Sequence, residues 1–233
     1  DFDADGMPQY HHGNDSGWDN ATVFDLGCPI EGADLAAFLV LQCEALSHIA
    51  GLLDHRKAAS RWYDRAQTQL DALLKLQVKQ GRFFSPRDGT STVPETHSLL
   101  NSIPIILGKR LPSKLRRILV TDLSPEGPFL TTYGLATESP ASEKYTPDGY
   151  WRGPIWAPSS YLIFDGLVGV GEAGLADTIA ERFCNLCLRS PGFWENYDAL
   201  TGQGLRCPGY AWTASVFLLL AHHLYQSRSK ANR

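Results

Sequence analysis

The chain is 233 residues long, 43% hydrophobic and 20% charged, with a formal net charge of −4 at pH 7. Those values are ordinary for a single globular domain, and they supply no basic field to hold nucleic acid or an anionic membrane surface, so the expected partner is neutral or small. No stretch reads as the roughly 18 apolar residues of a membrane span, and there is no basic-then-apolar signal pattern. The chain opens on Asp1 instead of methionine, as an excised piece of something longer would.

In chain order, Asp1, Asp3, Asp5 and Gly6 have the spacing of the front half of a calcium loop. The twelfth position is His12, where a bidentate glutamate is needed, so a surface turn is expected and no metal site. Next comes a loop over 9–24, in which His11 to Thr22 reads HHGNDSGWDNAT, with almost nothing apolar to bury. Apolar periodicity then predicts about seven helices and almost no strand. The first, 33–53, carries Leu35, Leu39, Cys43, Leu46, Ala50 and Leu53; the second, 56–79, keeps a wide polar face and stops near Gly81. The third, 95–107, is apolar from Leu99 to Leu107, and Pro112 opens an amphipathic fourth to about 121. The fifth, 154–169, has little charge, the sixth, 173–189, is amphipathic, and the seventh, 211–226, is apolar nearly all round.

The odd-numbered helices are thus mostly buried and the even-numbered ones half-exposed. Two concentric helical layers would write that alternation, the inner covered on all sides and the outer wetted on one face. A helical toroid is the natural reading, with a conventional bundle or solenoid as the alternative; no repeat of solenoid period is present. Five cysteines do not form the even framework of a secreted scaffold, and Cys184-Asn-Leu-Cys187 reads as buried helix packing. Asn14-Asp-Ser16 and Asn20-Ala-Thr22 are glycosylation sequons inside the polar loop, where a glycan would cover the chemistry proposed for it. An unglycosylated, cytoplasmic chain is therefore expected.

The chemistry gathers in three loops, 9–24, 133–158 and 193–212. Tyr150-Trp-Arg-Gly-Pro-Ile-Trp156 surrounds one arginine with aromatics, which must pack or bind something flat such as a sugar ring. Two readings stay open: sugar platforms, or ordinary core anchors with Arg152 capping a helix. Asp15, Asp19, Glu195 and Asp198 lie in aromatic surroundings, with Trp18 before Asp19 and Trp194 before Glu195. Desolvation beside tryptophan raises a carboxyl pKa, as a general acid requires.

SGWDNAT (Ser16 to Thr22), GYWRGPIW (Gly149 to Trp156) and FWENYDALTGQGLRCPGYAWTAS (Phe193 to Ser215) resemble three successive motifs of glycoside hydrolase family 63. The similarity is greatest to its mannosylglycerate hydrolase-like branch and more distant to the trehalases of family 37. It spans essentially the whole chain, and implies that residues 1–233 are the C-terminal portion of a single catalytic domain. The implied fold is all-α, an (α/α)6 toroid, incomplete here. Such a toroid has twelve helices, so the seven counted leave about five, roughly 150 residues, expected ahead of Asp1. An open ring wets its apolar inner helices, so a missing N-terminal segment or another chain completing the barrel is an expected partner.

The resemblance also implies a mechanism: inverting hydrolysis of an α-linked glucoside or mannoside, with Asp19 as general acid, Glu195 as general base and no cofactor. In such a pair the carboxyls lie roughly 6.5–9.5 Å apart, leaving room for a water. Trp151, Arg152 and Trp156 match the family's sugar-binding segment, and Asp15 takes the place of an acidic residue four before the catalytic aspartate. Asn20 and Tyr197 are expected to orient the two carboxyls, Trp18, Tyr150 and Trp212 to face the sugar, and Tyr10, His11 and His12 to form the pocket rim. After Asn20 the chain reads ATVFDLGCP, where closer relatives carry proline and arginine, so a different specificity is expected. The alternative to the hydrolase is a non-catalytic carbohydrate-binding or regulatory fragment of such an enzyme.

Overall fold

The computed structural model describes residues 2–87 and 96–231. Six α-helices and one long 3-10 helix make up most of it: α1 (Ala33–Leu52), α2 (Arg56–Leu76), the 3-10 helix Leu99–Arg110, α3 (Ser113–Leu123), α4 (Ala157–Val170), α5 (Ala173–Arg189) and α6 (Ala211–Ala231). These are the seven expected helices, with most ends moved by a few residues; the start expected at 95 lies outside the described residues. The third is wound tighter than expected. Pro104 has no N–H for an α-helical bond, and Gly108, at φ 60, breaks the segment near its end.

Helix ends obey local chemistry. Past α1, Asp54 adopts φ 57 and the His55 N–H returns to the Ala50 carbonyl at 2.8 Å, closing the last turn and reversing the chain into α2. Trp156 precedes α4, Pro158 sits in its first turn, and Gly171, at φ 93, ends it.

α1 packs on α2 and on the 3-10 helix; the 3-10 helix packs on α3 and α4; α4 packs on α5 and α6, and α5 on α6. α1, the 3-10 helix, α4 and α6 therefore form an inner row backed by α2, α3 and α5, as the alternation predicts. Gly166 brings α4 close to the 3-10 helix, since a Cβ there would lie 2.7 Å from the Ile105 side chain. The centre of the row is buried through Ile103, Ile105, Leu107, Ile163 and Leu167.

The ends of the row depart from expectation. α1 exposes Phe38, Ile49 and Leu52, and α6 exposes Trp212, Leu218, Leu219 and Tyr225, so the two terminal inner helices are not covered all round. The expectation of no membrane-length stretch is also corrected. α1 is long and apolar enough to cross a membrane by length and composition, with a mean hydropathy of 1.6, because its first and middle turns carry only Asp34 and Glu44 as charges. In this structure it serves as an inner helix against α2.

Three short antiparallel ladders pin the loops: β1 (Gln9–Tyr10) with β2 (Ile30–Glu31), β3 (Val78–Lys79) with β4 (Arg82–Phe83), and β5 (Asn196–Tyr197) with β6 (Gly204–Leu205). The first closes the base of the polar loop and the third carries the segment around Glu195. Cys184 and Cys187 are buried on α5, as expected, and all five cysteines are free thiols. Asp3 is in a surface turn, its carboxylate accepting the Met7 N–H at 2.6 Å, while Asp1 lies outside the described residues. Among the described residues no cluster of ligating side chains could hold a metal ion.

Candidate active site

The polar loop is a local scaffold. A single 3-10 turn, Gly13–Ser16, is capped from both directions: the His12 ring accepts the Asn14 N–H at 3.1 Å, and the Asp15 carboxylate accepts the N–H groups of His11 and His12 at 3.1 and 2.9 Å. Ser16 Oγ then donates to the Gly13 carbonyl and accepts the Trp18 N–H. Gly13 lets the Asp19 main chain come close, since a Cβ there would sit 1.9 Å from the Asp19 carbonyl oxygen. His12 and Asp15, expected to face substrate, are exposed, and His12 Nδ1 and Asp15 Oδ2 cap this turn. Asp15 also adds to the raised pKa of the buried Tyr10 phenol and of the Cys28 thiol, which places its charge toward the β1–β2 side. Tyr10 is not on the rim. It is buried, and its hydroxyl donates to Asp34 Oδ2 at 2.8 Å. His11 is exposed.

Asn20 joins this loop to the aromatic segment. Its amide donates to the Gly149 carbonyl at 3.0 Å and accepts the Trp151 N–H at 3.1 Å, while Arg152 Nε donates to the Asn20 carbonyl at 2.8 Å and its guanidinium pairs with Asp25. The expected role of Asn20 in orienting a carboxyl is thus replaced by one in joining loops, and a glycan on that nitrogen would break the join. Trp18, Trp151 and Trp156 are buried and lie on one another, with ring centroids 4.6 Å apart for the first pair and 4.1 Å for the second. The core-anchor reading holds for these tryptophans, whose faces cover each other. Tyr150 stands edge-on above Trp156 at 5.0 Å, and the Trp156 indole N–H donates to the Tyr150 carbonyl at 2.8 Å.

Glu195 is held mainly by main chain. Its N–H donates to the Cys207 carbonyl at 2.8 Å, and the next two residues form β5. Tyr197 extends the ladder to the aromatic segment by exchanging N–H donations with Ile155 at 3.1 and 2.7 Å. The Tyr197 side chain is buried and its hydroxyl accepts the Trp194 N–H at 3.1 Å, so it braces Glu195 from behind and is not bonded to the carboxyl. Gly204 admits the Trp194 ring, which a Cβ would meet at 2.2 Å.

The three loops meet at Tyr150. Partial burial raises the pKa of its phenol, and the Asp19 and Glu195 carboxylates raise it further, so charges 176 positions apart in sequence act on one hydroxyl. Glu195 also raises the pKa of the Tyr210 phenol, after desolvation. Both acids are partly exposed, and the exposed Trp212 flanks Tyr210 at 5.5 Å. Asp19, Glu195, Tyr150, Tyr210 and Trp212 all keep solvent-accessible surface. Tyr210 and Arg206, whose guanidinium lies 5.0 Å from the Tyr150 ring centroid, were not among the expected site residues. Both fall inside the Phe193–Ser215 motif, where residues flanking a two-strand hairpin were the available signal.

A fold of paired helices with two carboxylates gathered on its loop face is that of the six-hairpin glycosidases. Residues 1–213 match the mannosylglycerate hydrolase MGH1-like glycoside hydrolase domain, and the chain belongs to that family. Mannosylglycerate hydrolase of Thermus thermophilus is 28% identical over 158 residues, covering 67% of this chain and 37% of that protein. The crystal structure of a family 63 mannosylglycerate hydrolase from the same species in complex with glucose superposes with a TM-score of 0.70 at 25% identity, over 82% of this chain and 48% of the other. Neutral trehalase from Saccharomyces cerevisiae shares the fold, with a TM-score of 0.73 at 17% identity, over 91% of this chain and 42% of the other. The chain thus spans less than half the length of these relatives.

Proposed function

We propose that the chain carries the acid and base of an inverting α-glycosidase that hydrolyses an α-linked mannoside or glucoside, with glycerate as one candidate aglycone. On this reading residues 1–233 are the C-terminal portion of a single catalytic domain. Asp19 protonates the leaving oxygen while Glu195 draws a proton from a water on the opposite face of the ring; no further reactant is needed. The observation that carries the reading is that Asn20, next to Asp19, and Arg206, bonded to the residue after Glu195, both reach the segment around Tyr150, which brings the two acidic loops to one place. The proposal includes a cytoplasmic placement, in which the five thiols stay reduced.

The exposed apolar faces of α1 and α6 favour a second element of the proposal, a further segment or chain that covers them and completes the ring. They also favour the alternative of a carbohydrate-binding fragment without turnover. The experiment is hydrolysis of α-mannosyl- and α-glucosylglycerate and of α-linked disaccharides by the parent chain, Asp19→Asn and Glu195→Gln, with sugar binding followed by tryptophan fluorescence. Turnover that falls about 10²- to 10⁴-fold in either variant while binding persists supports the hydrolase. Binding by a parent chain that turns over none of these substrates supports the fragment.

A further inference from the structure

Among the described residues four non-glycine residues have a left-handed backbone: Asp54, Gln80, Tyr150 and Arg206, at φ 57, 53, 65 and 64. The first two are explained by the chain reversals they make, Asp54 after α1 and Gln80 between β3 and β4. Tyr150 and Arg206 face each other across the site, guanidinium to ring. A strained backbone persists where surrounding contacts over-determine it, and such positions gather at functional sites.

The contacts of Arg206 reach each side of the site. Nη1 donates to Asp148 Oδ1 at 2.5 Å and to Asn196 Oδ1 at 3.1 Å, and the guanidinium covers the Tyr150 ring. Asp148 lies two residues before Tyr150, and Asn196 directly follows Glu195. Asn196 is fully buried, its amide nitrogen has no partner among the described residues, and its side-chain oxygen is held by Arg206. One residue thus ties the loop bearing Tyr150 to the strand bearing Glu195.

We propose that Arg206 is a positioning residue of the site, clamping the Tyr150 loop onto the strand that follows Glu195 and so fixing where the Tyr150 phenol stands. The inference rests on the hydrolase reading only for its kinetic consequence. Arg206 does not meet the reacting atoms; it acts through Tyr150. A group displaced from the productive geometry by about 1 Å can cost a hundredfold in rate, so the clamp has a measurable effect.

The test labels the tyrosines of the full chain with 13C at Cζ, assigns Tyr150 through Tyr150→Phe, and follows its titration in backgrounds with and without Arg206→Met. With Arg206 present, Asp19→Asn and Glu195→Gln each move the Tyr150 titration; with Arg206→Met the response to one or both is lost, and Arg206→Lys restores part of it. In turnover, Arg206→Met lowers kcat about tenfold or more with KM little changed, and Tyr150→Phe costs much less in that background than alone. Equal responses of Tyr150 with and without Arg206, or losses that multiply independently, overturn the clamp. If Arg206→Met does not fold, Asp148→Asn loosens the same clamp from its other side and gives the same reading. A parent chain without turnover rejects the hydrolase, while the titration still decides the clamp.

Discussion

Around Asp19 the chain is fastened by side chains, and around Glu195 largely by main chain. His12, Asp15, Ser16 and Asn20 all bond to backbone groups of the acid loop or of the aromatic segment beside it. Glu195 instead sits on a hairpin whose ladder continues into Ile155, with the Tyr197 ring buried behind it. The difference accounts for the density of polar residues near the start of the chain: between the β1 strand and Trp18 no ladder among the described residues pairs the main chain, so the loop caps and bridges itself. It also predicts that the Asp19 side is the more sensitive to substitution.

The largest expected effect is at the two close glycines. Gly13→Ala drives a Cβ into the backbone of Asp19 and is expected to lose about 3 kcal/mol in urea unfolding, with turnover reduced about a hundredfold. Gly204→Ala meets the Trp194 ring and no backbone atom among its nearest neighbours, so a smaller loss of about 1–2 kcal/mol is expected. Equal losses at the two sites would erase the asymmetry.

Asp34 sharpens the same comparison, because its bond to Tyr10 anchors the strand that leads into the acid loop. Full burial pushes this carboxyl up from 3.8 to about 6, against the opposing effects of the Tyr10 hydrogen bond and backbone bonds. The folded chain therefore holds a proton that the unfolded chain has released. Stability from this group is fully present below about pH 4 and is lost as pH rises to about 6, on the order of 3 kcal/mol. Asp34→Asn should flatten that slope, and Tyr10→Phe, which removes a bond that favours the carboxylate, should carry it to higher pH. Unfolding midpoints between pH 4 and 7 check both.

The smallest effect is expected on the base side. Tyr197→Phe removes the hydroxyl that accepts the Trp194 N–H but leaves the ladder intact, so about 1 kcal/mol of stability and less than about threefold in turnover should go. A tenfold loss of turnover would mean that the Glu195 segment depends on the Tyr197 hydroxyl as much as on its main-chain ladder.

The helices were legible because amphipathic periodicity is local: six of the seven expected helices are α-helices, and their inner and outer rows alternate as predicted. The winding of the third was not, because Pro104 and Gly108 act on a segment that periodicity scores as simply apolar. At the candidate site, several of the expected residues make contacts other than those expected. Whether Trp151 meets a sugar or Trp18 depends on a loop 130 residues away, and whether Asp15 faces substrate or the His12 N–H depends on a cap only the folded turn defines. Arg206 was overlooked because its meaning arises from Tyr150 and Asn196, which only the fold places beside it.

The most direct measurement is the anomeric form of the first sugar released from an α-linked substrate, followed by proton NMR before mutarotation. The proposed inverting mechanism predicts that the β anomer appears first and that Asp19→Asn or Glu195→Gln removes it. The α anomer appearing first, or hydrolysis undiminished in those variants, would contradict the account.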